Sequence, residues 1–201
     1  VWIGENESSK FWLSVLNDLK NRSVQDVYVF CVDGLTGFRE AIGAVYPRSQ
    51  IQRCIVHQIQ SSTRYVSCKD IKALMADLKP VYKAINEDEG MMALRKFTEI
   101  WGKQYPSCVK SWNDNWDILS TFFAYPAELR RIIYTTNVIE GLNRQFRKVT
   151  KAKPSFTNDD SLRKMLYLAS QKIVEHWTVS CRNWDMVLNQ LNIMFAERIS
   201  S

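Results

Sequence analysis

Along the first sixty residues the spacing of apolar positions changes character from one segment to the next. In Ser8–Arg22 (SSKFWLSVLNDLKNR), Phe11, Leu13, Val15, Leu16 and Leu19 form a broad apolar face at helical spacing. Ser8 or Ser9 can cap that helix. Val27–Val32 is a nearly unbroken apolar and β-branched run, the pattern of a buried parallel strand, and Asp33-Gly34 ends it. Thr36–Pro47 reads as a short helix stopped by Pro47, and Ser49–His57 as a second strand. The order helix, strand, helix, strand predicts an α/β core with a mostly parallel sheet.

From about Gln58 to Arg131 the period is helical throughout. The segment is rich in Trp and Tyr, with breaks near Pro80, Gly90, Pro106 and Pro126, and it reads as an all-α insertion. Ser155–Trp177 predicts another helix, with Leu162, Met165, Leu166, Ala169 and Ile173 on one face and Asn158 or Asp159 as its cap. A last helix covers about Asp185–Glu197. The chain shows no internal repeat, low-complexity tract or flexible linker.

Between these lies a helix with two sides. Ile139, Leu142, Phe146 and Val149 recur as a core stripe, while Glu140, Arg144, Arg147 and Lys151 recur on a different face. Asn137-Val-Ile-Glu140 has the form of a capping box, and a carboxylate in the first turn complements the helix dipole. Glu140 and Arg144 also make a favourable i,i+4 pair. The same row fits a metal ligand at the head of a phosphate-gripping track. A capped, salt-bridged surface row fits it equally well.

Charge sharpens the second side. The 201-residue chain has a net charge of +6 and a pI near 9.1. Between Arg130 and Lys153 there are seven Lys or Arg and one acid, an excess equal to the net charge of the whole chain. So concentrated a basic segment points to a polyanion partner such as nucleic acid, or else to a solvated helix face. At 46% hydrophobic and 24% charged the composition is that of a soluble globular domain, alone or with an insertion. No apolar run approaches the roughly 18 residues that a membrane span requires. No signal peptide is visible, and the opening on Val1 rather than Met reads as a fragment. Five widely spaced cysteines, with no CxxC, suit reduced thiols in a cytosol.

Candidate chemistry is sparse. Asp33 sits at the carboxyl end of the first strand, where ligand groups gather in open α/β sheets. A plain Asp-Gly turn is the alternative. Cys54-Ile-Val-His57 offers two metal-ligand types where a structural zinc site needs four, and His176 is the only other histidine. A buried thiol with a hydrogen-bonded histidine is the simpler reading. No phosphate-binding glycine loop, HExxH or GxSxG occurs, which argues against nucleotide-dependent, zinc-protease and Ser-triad chemistry.

Three stretches carry a resemblance: VDGLTGFREAIGAVYP, IQRCIVHQI and IIYTTNVIEGLNRQFRKVTKAK. With GENESSKFWLSVLNDLKNR before them and HWTVSCRNWDMVLNQL after, the chain resembles the bacterial Mutator-type transposases of insertion sequences over essentially its whole length. The resemblance implies an RNase H-like core, a mixed sheet flanked by helices, interrupted by an all-α insertion. Its parts would be residues 1–60, the insertion 61–131, and the core's return with closing helices in 132–201. It implies a D-D-E set of carboxylates holding two Mg²⁺ (or Mn²⁺) ions. Asp33 matches the second aspartate and Glu140 the glutamate, while Cys54 and His57 match a C-x-x-H signature of unassigned role. Arg144, Arg147, Lys148 and Lys151 would hold DNA phosphates, with Asn137 opening their helix.

The first aspartate of the resembled family lies upstream of the VWIGENES segment. The chain alone is therefore expected to be inactive in phosphodiester hydrolysis and 3′-hydroxyl strand transfer. The expected setting is a bacterial cytoplasm, on the nucleoid, with transposon-end and target DNA and a second copy of the chain as partners. Two alternatives are a non-catalytic DNA-binding remnant and a different RNase H-like nuclease.

Overall fold

The structure is a computed structural model. It describes residues 2, 4, 6, 8–34, 37–64, 66–134, 137–152, 155–156, 158–175 and 183–199; the side chains of 137–140 and 199 lie outside the description. The chain begins with α1 (Ser9–Asn21), β1 (Val29–Val32), α2 (Phe38–Val45) and β2 (Gln50–Arg53). The two strands pair in parallel, Val29 opposite Gln50 through Val32 opposite Arg53. Among the described residues this parallel pair is the whole sheet, so the α/β order holds. Ser8 caps α1 by accepting from the Phe11 amide at 3.3 Å.

The second strand is shorter than its sequence suggests. Ser49–His57 was expected to be extended throughout, yet β2 stops at Arg53 and α3 (Ile55–Thr63) starts almost at once. Cys54 and His57 therefore belong to a helix start. A strand run interrupted by Gln50, Gln52 and Arg53 gives little alternation to mark its end.

Helices then follow one another: α4 (Cys68–Lys83), α5 (Glu87–Trp101), α6 (Pro106–Asp114), α7 (Trp116–Ser120), a 3₁₀ turn (Thr121–Ala124) and α8 (Ala127–Tyr134). Two expected breaks fall inside helices. Pro80 lies within α4, where it forfeits one backbone hydrogen bond. Ala76, which loses that donor, is exposed, so water can serve its carbonyl. Gly90 is buried in α5, where a Cβ would come within 2.9 Å of Phe123 and Trp116. It marks close packing rather than a turn. Pro106 and Pro126 do stand at helix starts, Pro106 as the first residue of α6 and Pro126 just before α8.

The chain closes with α9 (Asn137–Ala152), α10 (Asp159–Glu175), α11 (Trp184–Met194) and α12 (Ala196–Ile199). Asn158 caps α10, its side-chain oxygen accepting from the Ser161 amide at 2.9 Å. The single terminal helix expected over 185–197 is two, broken at the buried Phe195, whose ring stacks on Tyr28 at 4.7 Å. Arg198 follows, lying across Tyr28 and bonded to the Asp26 carboxylate and to the carbonyls of Val27 and Arg48.

Two apolar clusters result. The smaller joins Leu16 of α1 with Ala41, Ile42, Val45 and Tyr46 against Phe30 and Val32 of β1. The larger runs from Ile55 through α4–α8 to Ile133 and takes in Val187 of α11, with Trp112, Phe97, Leu74, Leu78 and Leu94 almost fully buried. β1 is apolar on both sides because it faces both clusters: Val29 packs against the larger one, Phe30 and Val32 against the smaller.

The join between the clusters is polar. Tyr125 donates its hydroxyl to the Gln50 side chain at 2.8 Å. Burial pushes the Tyr125 phenol up to about 12, which keeps it a donor. Gln52, wholly buried, accepts from the Thr121 hydroxyl at 2.8 Å and donates to the carbonyls of Arg53 and Leu119. Arg53 donates to the Asn115 side chain at 2.6 Å. Below the strand, Gln58 of α3 donates to the Ser111 hydroxyl of α6. Every polar side chain of β2 thus bonds to the helical layer.

Candidate active site and nucleic-acid interface

The carboxyl ends of the two strands bring Asp33 and Arg53 to one edge. The Cys54 amide donates to the Val32 carbonyl at 2.7 Å, which fixes the exits of both strands side by side. Asp33 is exposed and makes no hydrogen bond or ion pair with any described residue. Gly34 follows in the left-handed region at φ 88°, where a side chain would be strained. A Cβ there would also come within 3.2 Å of the Arg53 guanidinium. That guanidinium therefore lies over the Asp33-Gly34 turn, held from behind by Asn115. The turn returns to α2 through Gly37, which backs directly onto Ser9 at the start of α1.

Arg53 is the residue that sequence reasoning missed. It sits inside IQRCIVHQI, one position before Cys54, and only the parallel register brings it beside Gly34, next to Asp33 in the chain. Cys54 and His57 do not converge. Cys54 is buried at the head of α3, while His57 is exposed and makes no hydrogen bond among the described residues. The buried thiol is as expected; the hydrogen-bonded histidine is not, because one helical turn places His57 toward solvent. No group of three His, Cys, Asp or Glu gathers with metal-holding geometry among the described residues.

The basic segment divides in two. Arg130 turns inward, donating to the carbonyls of Ala84 and Ile85 beside the Phe122 and Phe123 rings. It is a structural cation, not part of an open track. Arg144, Arg147, Lys148 and Lys151 are all exposed on α9, and Leu142, Phe146 and Val149 are half-buried on the other side, where α9 packs on α10. Asn137 is the first residue of α9 rather than its external cap, a one-residue difference. Glu140 falls in the first turn of α9; its side chain, like that of Asn137, lies outside the described residues. Lys153, His176 and Cys181 lie outside them as well.

These elements define an α/β protein enlarged by helices, with a free carboxylate at its strand ends and a separate basic helix. Residues 1–180 match the family model described as transposase, Mutator family. Over 199 residues the chain is 43% identical to the transposase for insertion sequence element ISRM3 of Rhizobium meliloti (strain 1021), covering 98% of this chain and 50% of the relative. It is 31% identical over 160 residues to the transposase for insertion sequence element IS1201 of Lactobacillus helveticus, covering 80% and 43%. Against the transposase for insertion sequence element IS905 of Lactococcus lactis it is 32% identical over 164 residues, covering 82% and 42%. The chain belongs to the Mutator family of insertion-sequence transposases. It spans about half the length of these curated relatives.

Proposed function

We propose that this chain carries the catalytic region of an insertion-sequence transposase, acting on DNA by phosphodiester hydrolysis and 3′-hydroxyl strand transfer. The observation that supports it most is Asp33: an exposed carboxylate with no described partner, at the carboxyl ends of a parallel strand pair, in a chain of this family. On this reading Asp33 and Glu140 are two of the carboxylates of an RNase H-like D-D-E site. The parts would be residues 1–60 and 132–201 for the core and 61–131 for the helical insertion, with at least two copies in the active assembly on bacterial DNA.

The donor set fits divalent cations such as Mg²⁺ or Mn²⁺. Carboxylate oxygens are the hard ligands such ions take, and Asp33 has its oxygens free of other bonds. No helix among the described residues is long and apolar enough to cross a membrane. Bound at Asp33 and Glu140, two ions would activate water or a 3′-hydroxyl and offset charge on the phosphate. The rest falls to the chain's own groups. Asp33 presents its carboxylate at the strand end, where Gly34 makes the turn and Arg53, bonded to Asn115, lies beside it. Arg144, Arg147, Lys148 and Lys151 present cations to backbone phosphates, giving affinity that is salt-dependent and poor in sequence information.

Asp33→Asn and Glu140→Gln, each placed in the full transposase polypeptide, should lower cleavage and strand transfer by about 10³-fold or more while end-DNA binding stays within about twofold. The expected loss follows from removing a metal-held charge in the transition state. Activity within tenfold of the parent in either variant would sink the catalytic assignment. Cleavage of branched DNA without strand transfer would instead favour a different RNase H-like nuclease.

A further inference from the structure

One face of α4 carries lysines and no acid. Lys69, Lys72, Lys79 and Lys83 fall within an arc of about 80° at the helix's 100° per residue, and all four are exposed. Ala73, Ala76 and Pro80, also exposed, fill the space beside them, so nothing bulky stands above the row. The row runs about 21 Å at 1.5 Å per residue. The opposite side of the helix holds Leu74, Leu78 and Val81 in the larger cluster.

The acids of α4 are turned away and occupied. Asp70 accepts from the Tyr105 hydroxyl at 2.7 Å and from Gln104 at 2.8 Å, and Asp77 accepts from the Trp101 indole at 3.0 Å. The next acidic run, Glu87-Asp88-Glu89, forms the first turn of α5, and none of it pairs with these lysines. Lys69, Lys72 and Lys79 make no hydrogen bond or ion pair with any described residue. Lys83 lies 4.2 Å from the centre of the Tyr134 ring. Tyr134 ends α8, three positions before α9 and its exposed bases.

We propose that this lysine face of α4 is a second track for the backbone of duplex DNA, distinct from the strand-end site and from the basic face of α9. Charge complementarity is what names the occupant. A straight row of about 21 Å can follow a few successive phosphates of one strand, and single Lys side chains with small residues beside them suit a backbone read without sequence. The inference rests on the reading that the chain acts on DNA.

The test is duplex binding of the chain, measured by fluorescence anisotropy across a salt series, for the parent and for a variant with Lys69, Lys72, Lys79 and Lys83 all changed to Gln. The lysines are exposed, so the variant should keep its helical circular dichroism. The slope of log K against log salt should become shallower by about 3, with affinity near physiological salt roughly 10- to 100-fold weaker for any sequence. The four-Glu variant should lose more. Parent-like affinity and slope in a folded Gln variant would overturn the inference while leaving the DNA reading intact. Failure of the parent to bind duplex would overturn both. Lysine-dependent binding to phosphatidylserine vesicles, with duplex affinity unchanged, would replace DNA by a membrane surface and overturn it too.

Discussion

The strand region and the helical region are built to different standards. Around β1 and β2, Val29, Phe30, Val32 and Ile51 are only half-buried and Cys31 is exposed. In the helices, Trp112, Phe97, Leu74, Leu78 and Leu94 are all but sealed from water. Parallel strands are ordinarily covered on both faces. Here the core of the helical layer is sealed, while the strand layer is sealed at Leu16, Ile42 and Gln52 but leaves β1 part-covered, and Asp33 stands at its exposed end. The difference teaches that tight packing and candidate chemistry sit in separate places, joined by hydrogen bonds along β2.

The largest test of that contrast is Trp112→Ala. It removes a fully buried ring and its indole bond to the Ser62 hydroxyl, at a cost of about 3–5 kcal/mol measured by denaturant unfolding. If the helical layer is the stable unit, hydrogen exchange in α4–α6 should accelerate far more than in β1. Equal acceleration throughout would show one cooperative unit instead of two.

A middle-sized effect probes the join. Thr121→Val keeps shape but takes the hydroxyl from the buried Gln52 side chain, which should cost about 1–2 kcal/mol. Paired with Tyr125→Phe in a double-mutant cycle, a coupling well above the error of a few tenths of a kcal/mol would mean that the polar join responds as one network. Simple additivity would mean separate bonds.

The smallest effect concerns the far end of the strand layer. The Arg198 guanidinium bonded to Asp26 holds that carboxyl below its ordinary value of 3.8. A depressed carboxylate stabilises the fold above its unfolded value, and the contribution fades as the pH falls through the lowered one. Asp26→Asn should therefore cost a small amount of stability at neutral pH and almost none well below about pH 4, read as converging melting temperatures. A gap that widened on acidification would contradict the sign.

Much of this was legible in the sequence, for reasons that differ by element. Apolar period gave α1 with Ser8 as its cap, and α10 with its buried Ala169, because each has one clear face. The end of β2 was not legible, since Gln50, Gln52 and Arg53 look like surface residues, and only hydrogen bonds to Tyr125, Thr121 and Asn115, far along the chain, tie them to the helical layer. Pro80 and Gly90 misled because both are read locally, while solvent at Ala76 and the Trp116 and Phe123 rings decide their roles. At the candidate site the position of Asp33 followed from the strand run. Arg53 did not, because only pairing with Val32 brings it there. The Cys54 and His57 pair looked like a unit in the sequence and is split by a helix start.

The Arg53 arrangement has a mechanical side. Its guanidinium rests on the Gly34 turn at one end and is gripped at the other by Asn115, the residue between α6 and α7. The helical layer thus reaches the neighbourhood of Asp33 through a single side chain: the guanidinium that Asn115 holds lies against Gly34, one position along the chain from the carboxylate.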